Sequence, residues 1–162
     1  MGSFGACVRA LRSTGLDEMV MEAVDARIPL LGICVGMQML YEASEESPEV
    51  AGLGLFEGMV RRLVDAPKIP HMSWSQISYV KSGSDGPLFK DLPELTWFYF
   101  VHSFAPDITS DSVATCDYGK EFTAAAAKGV IFGTQFHPEK SSVKGLALLG
   151  NFVELCDREV AR

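Results

Sequence analysis

An apolar run at residues 28–33 passes directly into Gly32-Ile33-Cys34-Val35-Gly36 and then into the helical spacing of residues 35–42. Short continuous apolar runs of this kind form strands buried on both faces of a parallel sheet. A strand that gives way at once to a helix leaves Cys34 on the turn between them. Glycines two positions to either side let strand and helix approach closely, and leave the sulfur projecting into a cleft rather than the core. The Val35 amide is then free to donate to a developing oxyanion, and the helix N-terminus favours thiolate over thiol. The same five residues also suit a buried structural cysteine between packing glycines. The pattern by itself leaves both readings open.

The segments around this elbow alternate between helical and extended patterns. Residues 5–26 carry Val8, Leu11, Leu16, Met19, Val20 and Val24 at helical spacing, broken at Ser13-Thr14-Gly15, which predicts two helical pieces. Residues 56–64, 74–80, 96–101, 113–117, 122–127 and 130–136 suit strands, residues 42–49 an acidic solvated loop, and residues 142–160 a closing helix. Helix, buried strand, nucleophile turn, helix and mixed strands together predict a three-layer α/β domain occupying residues 1–162 as one unit. Doubly wound sheets open on a central strand. This sequence opens on Gly2-Ser3-Phe4-Gly5 and a helix, so the first strands of the sheet are expected to be missing. Such a loss would expose an edge with unpaired backbone groups.

Composition narrows the function classes. The chain has 162 residues, 48% hydrophobic and 22% charged, enough to bury a core without staples. A net charge of -7 argues against phosphate-backbone binding, which needs clustered Lys and Arg, so no nucleic-acid partner is expected. Cys7, Cys34, Cys116 and Cys156 are far apart, with no CxxC pair and no His at zinc-ligand spacing. No metal and no other cofactor are expected. The longest apolar stretch is too short to span a bilayer and there is no secretory signal, which predicts a cytoplasmic protein with reduced thiols.

The second chemical signal is Thr134-Gln135-Phe136-His137-Pro138-Glu139, which follows an apolar strand. A histidine at a strand end can reach a neighbouring cleft, and a glutamate two residues on can orient its imidazole toward a thiol. Gly-Ile-Cys-Val-Gly-Met-Gln followed by Gln-Phe-His-Pro-Glu-Lys resembles the class I, triad-type glutamine amidotransferases, from Gly2 to the C-terminal helix. The resemblance implies a flavodoxin-like fold, truncated at its N-terminus, and a Cys34, His137 and Glu139 triad that hydrolyses L-glutamine to glutamate and ammonia. It also implies substrate contacts at Val35, Gln38, Glu46, Ser103 and Phe104. Gly2 would belong to an oxyanion strand whose preceding part is absent.

Within that family, Pro70-His71-Met72-Ser73-Trp74 and Tyr99-Phe100-Val101-His102-Ser103 look like segments of the glutaminase subunit of imidazole glycerol phosphate synthase. Ser73 replaces a usual glycine, and Phe104-Ala105 follow Ser103 where a second aromatic is common. The resemblance implies a cyclase subunit as heterodimeric partner, docked on Pro70, His71, Met72, Trp74 and Tyr99, and a role in histidine biosynthesis. Read as residues alone, Trp74 and Tyr99 suit strand-face aromatics, and His71 and His102 suit hydrogen-bonded structural histidines. The alternatives are another glutaminase or thiol hydrolase of similar fold, and a noncatalytic subunit that binds the cyclase with an incomplete oxyanion site.

Overall fold

The computed structural model describes residues 3–80 and 86–160. Gly2, expected at the oxyanion site, lies outside the described residues. Ser3 caps α1 (Phe4–Ser13), its hydroxyl accepting the Ala6 N–H. Gly15, at φ 71°, turns the chain into α2 (Leu16–Asp25), so the break predicted between two helical pieces falls at this glycine. The elements that follow are β1 (Leu30–Ile33), α3 (Val35–Met39), β2 (Ala43–Ser44), β3 (Met59–Arg62), β4 (His71–Gln76) and β5 (Ser78–Tyr79). After them come β6 (Trp97–His102), β7 (Phe104–Pro106), β8 (Ser112–Tyr118), β9 (Lys120–Lys128), β10 (Ile131–Thr134) and α4 (Ser142–Val160).

The main sheet has the order β1-β10-β9-β8-β5. Among the described residues its only parallel pair is β1 with β10, in the register Leu30↔Ile131 to Ile33↔Thr134; the other pairs are antiparallel. The reason is connection length. Tight turns at Gly119 (φ 90°) and Gly129 (φ 61°) join β8 to β9 and β9 to β10, and such turns link only antiparallel neighbours. A long crossover separates β1 from β10. Two smaller sheets, β2-β3-β7 and β4-β6, complete the strands.

Helices cover both faces of the main sheet, which makes the domain three-layered. On one face Phe132 and Ala125 pack with Leu148, Phe152 and Leu155 of α4, together with Phe98, Phe100 and Phe136. On the other, Ile131 and Ala126 pack with Met37 of α3 and with Val20 and Val24 of α2. Each fully buried Phe or Leu here contributes roughly 1.5–3 kcal/mol of transfer free energy. No helix among the described residues is long and apolar enough to cross a membrane.

Three expectations are corrected. β1 is not buried on both faces: only Gly32 is buried, and Leu30, Leu31 and Ile33 are half-exposed. It ends the sheet, with no strand on its far side among the described residues. The strand expected over residues 74–80 is two, divided at buried Ile77, with β4 paired to β6 and β5 to β8. The acidic stretch at 42–49 is not wholly solvated, because β2 pairs with β3 there and Ser44 and Ser47 are buried.

The elbow glycines prove unequal. A Cβ on Gly32 would lie 2.8 Å from the backbone of Gly36 and Met37, whereas one on Gly36 would meet nothing within 4 Å. Gly32 alone permits the close contact between β1 and α3. Gly32→Ala is expected to destabilise the fold by about 1–3 kcal/mol through overpacking. Gly36→Ala is expected to be neutral or to stabilise by up to about 1 kcal/mol, since it replaces glycine in a helix. Urea denaturation of the two variants checks this, and equal losses would contradict it.

Candidate active site

Cys34 sits at φ 53°, ψ -114°, a conformation that a residue with a side chain adopts only when its surroundings enforce it. The enforcement is visible. Its N–H donates to the Thr134 carbonyl at 2.7 Å, and its own carbonyl accepts the Gln38 N–H at 3.1 Å. The first bond extends the β1–β10 ladder by one residue, and the second opens α3. The sulfur is left 4.0 Å from the Val101 carbonyl and 3.7 Å from Gln135 Nε2.

His137 is placed from the other side of the same ladder. Because Ile33 is level with Thr134, the residues after β10 run past the elbow. The His137 N–H donates to the Tyr99 carbonyl at 2.9 Å, and its carbonyl accepts the Ser141 hydroxyl at 2.6 Å. Ser141 in turn accepts the Tyr99 N–H at 2.9 Å, so the loop is clamped to β6. Nδ1 lies 2.7 Å from Glu139 Oε1. A carboxylate accepts, so Nδ1 carries the proton and Nε2 presents a lone pair. That Nε2 is buried without a hydrogen-bond partner among the described residues.

Cys34, Val35, Gln38, Glu46, Ser103, Phe104 and His137 all line one cavity of about 530 Å³. Glu139 does not line it and stands behind the imidazole. A second cavity, of about 500 Å³, lies beside Arg61. It holds no nucleophile, and the Arg61 guanidinium is neutralised by Glu45 at 2.8 Å and Asp107 at 2.7 Å.

Burial and hydrogen bonding oppose each other at Cys34. Burial pushes the thiol above its ordinary value, and the Glu139 charge adds to this; the Val35 N–H, Lys140 and the Gln135 amide pull the other way. Burial is the largest effect, so the resting sulfur is held as a thiol. The helix N-terminus does not by itself produce the expected thiolate. A proton acceptor is needed, and the unpartnered Nε2 of His137 has the right chemistry for it.

The residues expected to hold substrate are already engaged with the protein. Glu46 Oε2 accepts the Phe4 N–H at 2.6 Å at the start of α1. Gln38 Nε2 donates to the Phe104 carbonyl at 2.9 Å and to Gln135 Oε1 at 2.8 Å. Gln135, Val101, His102 and Lys140 are site residues that the sequence reading did not single out. Gln135 had a signal: it is the one long polar residue in the buried run of residues 131–136.

Residues 4–155 match the family glutamine amidotransferase class-I. The chain belongs to this family. Among curated relatives, imidazole glycerol phosphate synthase subunit HisH of Methanocaldococcus jannaschii is 44% identical over 156 residues, covering 96% of this chain and 77% of the relative. The subunit HisH of Moorella thermoacetica is 43% identical, covering 96% and 73%. A crystal structure of a glutamine amidotransferase superposes with a TM-score of 0.66 at 21% identity, covering 96% of this chain and 76% of that one. Another, from Thermotoga maritima, gives 0.59 at 21% identity and covers 91% and 55%. At those identities the structural likeness bears on the fold alone.

In this amidotransferase the residues expected at a docking face divide between the two sides of the two-stranded β4–β6 sheet. Met72 (58% exposed) and Trp74 (44% exposed) point outward, and Trp74 meets half-buried Tyr99 edge-on at 6.1 Å. Pro70 is half-buried just ahead of β4. His71 is corrected: strand alternation turns it inward, fully buried, where it stacks on Tyr118 at 3.7 Å and Phe100 at 4.8 Å. Its Nδ1 lies 3.1 Å from His102 Nε2 and its Nε2 2.9 Å from the Ser75 hydroxyl. His102 Nδ1 donates to the Phe104 carbonyl at 2.9 Å. A carbonyl only accepts, so His102 Nε2 is an acceptor for the His71 Nδ1–H, and Ser75 donates to His71 Nε2. Both rings are neutral in this chain.

Burial lowers His71 to about 4 and His102 to about 3, with the neighbouring ring adding to the effect at His102. Between these values and the unfolded value near 6.5, the unfolded chain binds protons that the folded chain does not. Stability is therefore expected to fall as pH drops from about 6.5 toward about 4, by up to about 1.4 kcal/mol per pH unit for each ring. Chemical denaturation across that window, with a His71→Gln variant for comparison, checks this. A variant with an unreduced slope would refute it.

Proposed function

We propose that this chain is the glutaminase subunit of imidazole glycerol phosphate synthase, hydrolysing L-glutamine through Cys34, His137 and Glu139 and passing ammonia to a cyclase subunit in the cytoplasm. The observation that carries the chemistry is the single cavity shared by a half-buried thiol and an imidazole whose Nδ1 is committed to Glu139. The two curated relatives named above, at 43–44% identity and both imidazole glycerol phosphate synthase subunits, support the partner.

In this reading His137 Nε2 takes the Cys34 proton as the sulfur attacks the amide carbon of glutamine. The carbonyl oxygen becomes an oxyanion beside the Val35 N–H. Collapse of the intermediate breaks the C–N bond, and the proton on His137 goes to the leaving nitrogen, which departs as ammonia. Water then gives a proton to His137 and attacks the thioester, and glutamate leaves as Cys34 recovers its proton. Glu139 holds the imidazole in the tautomer these steps require. Ammonia exits toward the outer face of the β4–β6 sheet, where Val101, a cavity residue, pairs across the ladder with exposed Met72.

His137→Ala is expected to slow labelling of Cys34 by an electrophilic glutamine analogue, and glutamine turnover with the cyclase, by about 10²–10⁴. Retention of both rates would remove His137 from the triad, whereas slow labelling and no turnover in the unaltered chain would favour a noncatalytic binding subunit. Trp74→Ala is expected to weaken cyclase binding by about 2 kcal/mol or more, as truncation of a central aromatic does. Titration calorimetry against the purified cyclase measures it. Unchanged affinity would remove Trp74 from the interface, and no binding by the unaltered chain would point to a different synthase or to an independent thiol hydrolase.

A further inference from the structure

The amide groups of Gln38 and Gln135 beside the nucleophile can be oriented from their partners alone. The Phe104 carbonyl can only accept, so the end of Gln38 that lies 2.9 Å from it is the NH₂ group. That nitrogen also lies 2.8 Å from the Gln135 amide, which must therefore present its oxygen to Gln38. The nitrogen of Gln135 is left on the opposite side, 3.7 Å from Cys34 Sγ. Gln38 is 5% exposed and Gln135 is fully buried, so water does not compete for these bonds as it would at the surface. Phe104 is itself held, because its carbonyl also accepts the His102 Nδ1–H at 2.9 Å.

We propose that Gln135 is the positioning residue of the nucleophile, its N–H fixed toward Cys34 Sγ by Gln38. A thiol sulfur is a weak acceptor and a thiolate a strong one, so the bond tightens as Cys34 ionises. It offsets part of the burial that opposes ionisation. It also restrains the sulfur on the side away from the Val101 carbonyl, to which the resting thiol can donate at 4.0 Å. The charged and titratable groups facing Cys34 are His137, Glu139 and Lys140 from the segment after β10, Glu46 from the loop after β2, and His102 from β6. None of them would change place when a neutral amide is replaced. The inference rests on the proposed role of Cys34 as the nucleophile, but its test reads the thiol and not glutamine turnover.

The experiment is the pH dependence of Cys34 alkylation by iodoacetamide in the full chain, read by peptide mass spectrometry so that Cys7 and Cys156 do not interfere. Gln135→Met removes the donor and is expected to raise the midpoint by ~1 pH unit. Gln38→Glu is the sharper variant, since it never touches the sulfur. A carboxyl at that position accepts from Gln135, turns its amide over and points the oxygen at Cys34, so the midpoint is expected to rise although Gln135 is retained. The new carboxylate charge raises the midpoint by itself, so the double variant is the reference: the rise of Gln38→Glu over the unaltered chain is expected to exceed that of the double variant over Gln135→Met. Circular dichroism identifies a variant that fails to fold, and the other then carries the test. A folded Gln135→Met variant with an unchanged midpoint would overturn the role of Gln135. A folded Gln38→Glu variant whose rise does not exceed the difference between the double variant and Gln135→Met would overturn the orienting role of Gln38.

Discussion

The parallel pairing of β1 with β10 is the constraint on which the rest of the site depends. It sets Gly32 level with Gly133 and Ile33 level with Thr134, and the Cys34 N–H continues the ladder onto the Thr134 carbonyl. A residue near the start of the chain is thereby brought beside Gln135 and His137 near its end. The pairing also requires the two glycines to be level. A Cβ on Gly32 would strike the backbone of α3, and one on Gly133 would lie 2.6 Å from the Met37 side chain of the same helix. With both positions empty, α3 settles onto the two strands, and the resulting contacts hold Cys34 at a positive φ that it would not adopt alone.

The legible parts of the fold were those with a local cause. The elbow, the break at Gly15 and the closing helix each follow from residue spacing and a glycine or a cap, and each forms close to where the spacing places it. Strand direction was not legible. Residues 122–127, rich in alanine and buried on both faces, read as an interior strand whichever way the neighbour runs. The antiparallel outcome comes from the two glycine turns around β9. The exposure of β1 depends on what lies beside it, which its own apolar pattern cannot express.

For the site, the cysteine, the histidine and the glutamate were readable because each lies in a short motif with a chemical rationale. The docking residues were read as a block, and there the period of two in a strand was overlooked. His71 and Met72 are adjacent in β4, so they face opposite sides, and only one of them can meet a partner. The thiolate expectation failed for a different reason. The amide donor at the start of α3 is a local feature that sequence reveals, whereas the desolvation that outweighs it is created by the surrounding fold.

The buried polar groups around Cys34 form a single connected unit because two hydrogen-bond chains end on one atom. From one direction Ser75, His71 and His102 lead to the Phe104 carbonyl; from the other, Gln135 and Gln38 lead to it from the cysteine. A carbonyl oxygen has two lone pairs, and here both are used. The histidine chain can supply its donor only while both rings are neutral, and the same burial that lowers their proton affinity keeps them so. The β4–β6 sheet that carries Met72 and Trp74 on its outer face therefore fixes, through its inner face, the acceptor that orients the amides at the sulfur. Burial consequently has two opposed effects in this chain: it holds the Cys34 thiol protonated, and it keeps in place the polar groups that favour its ionisation.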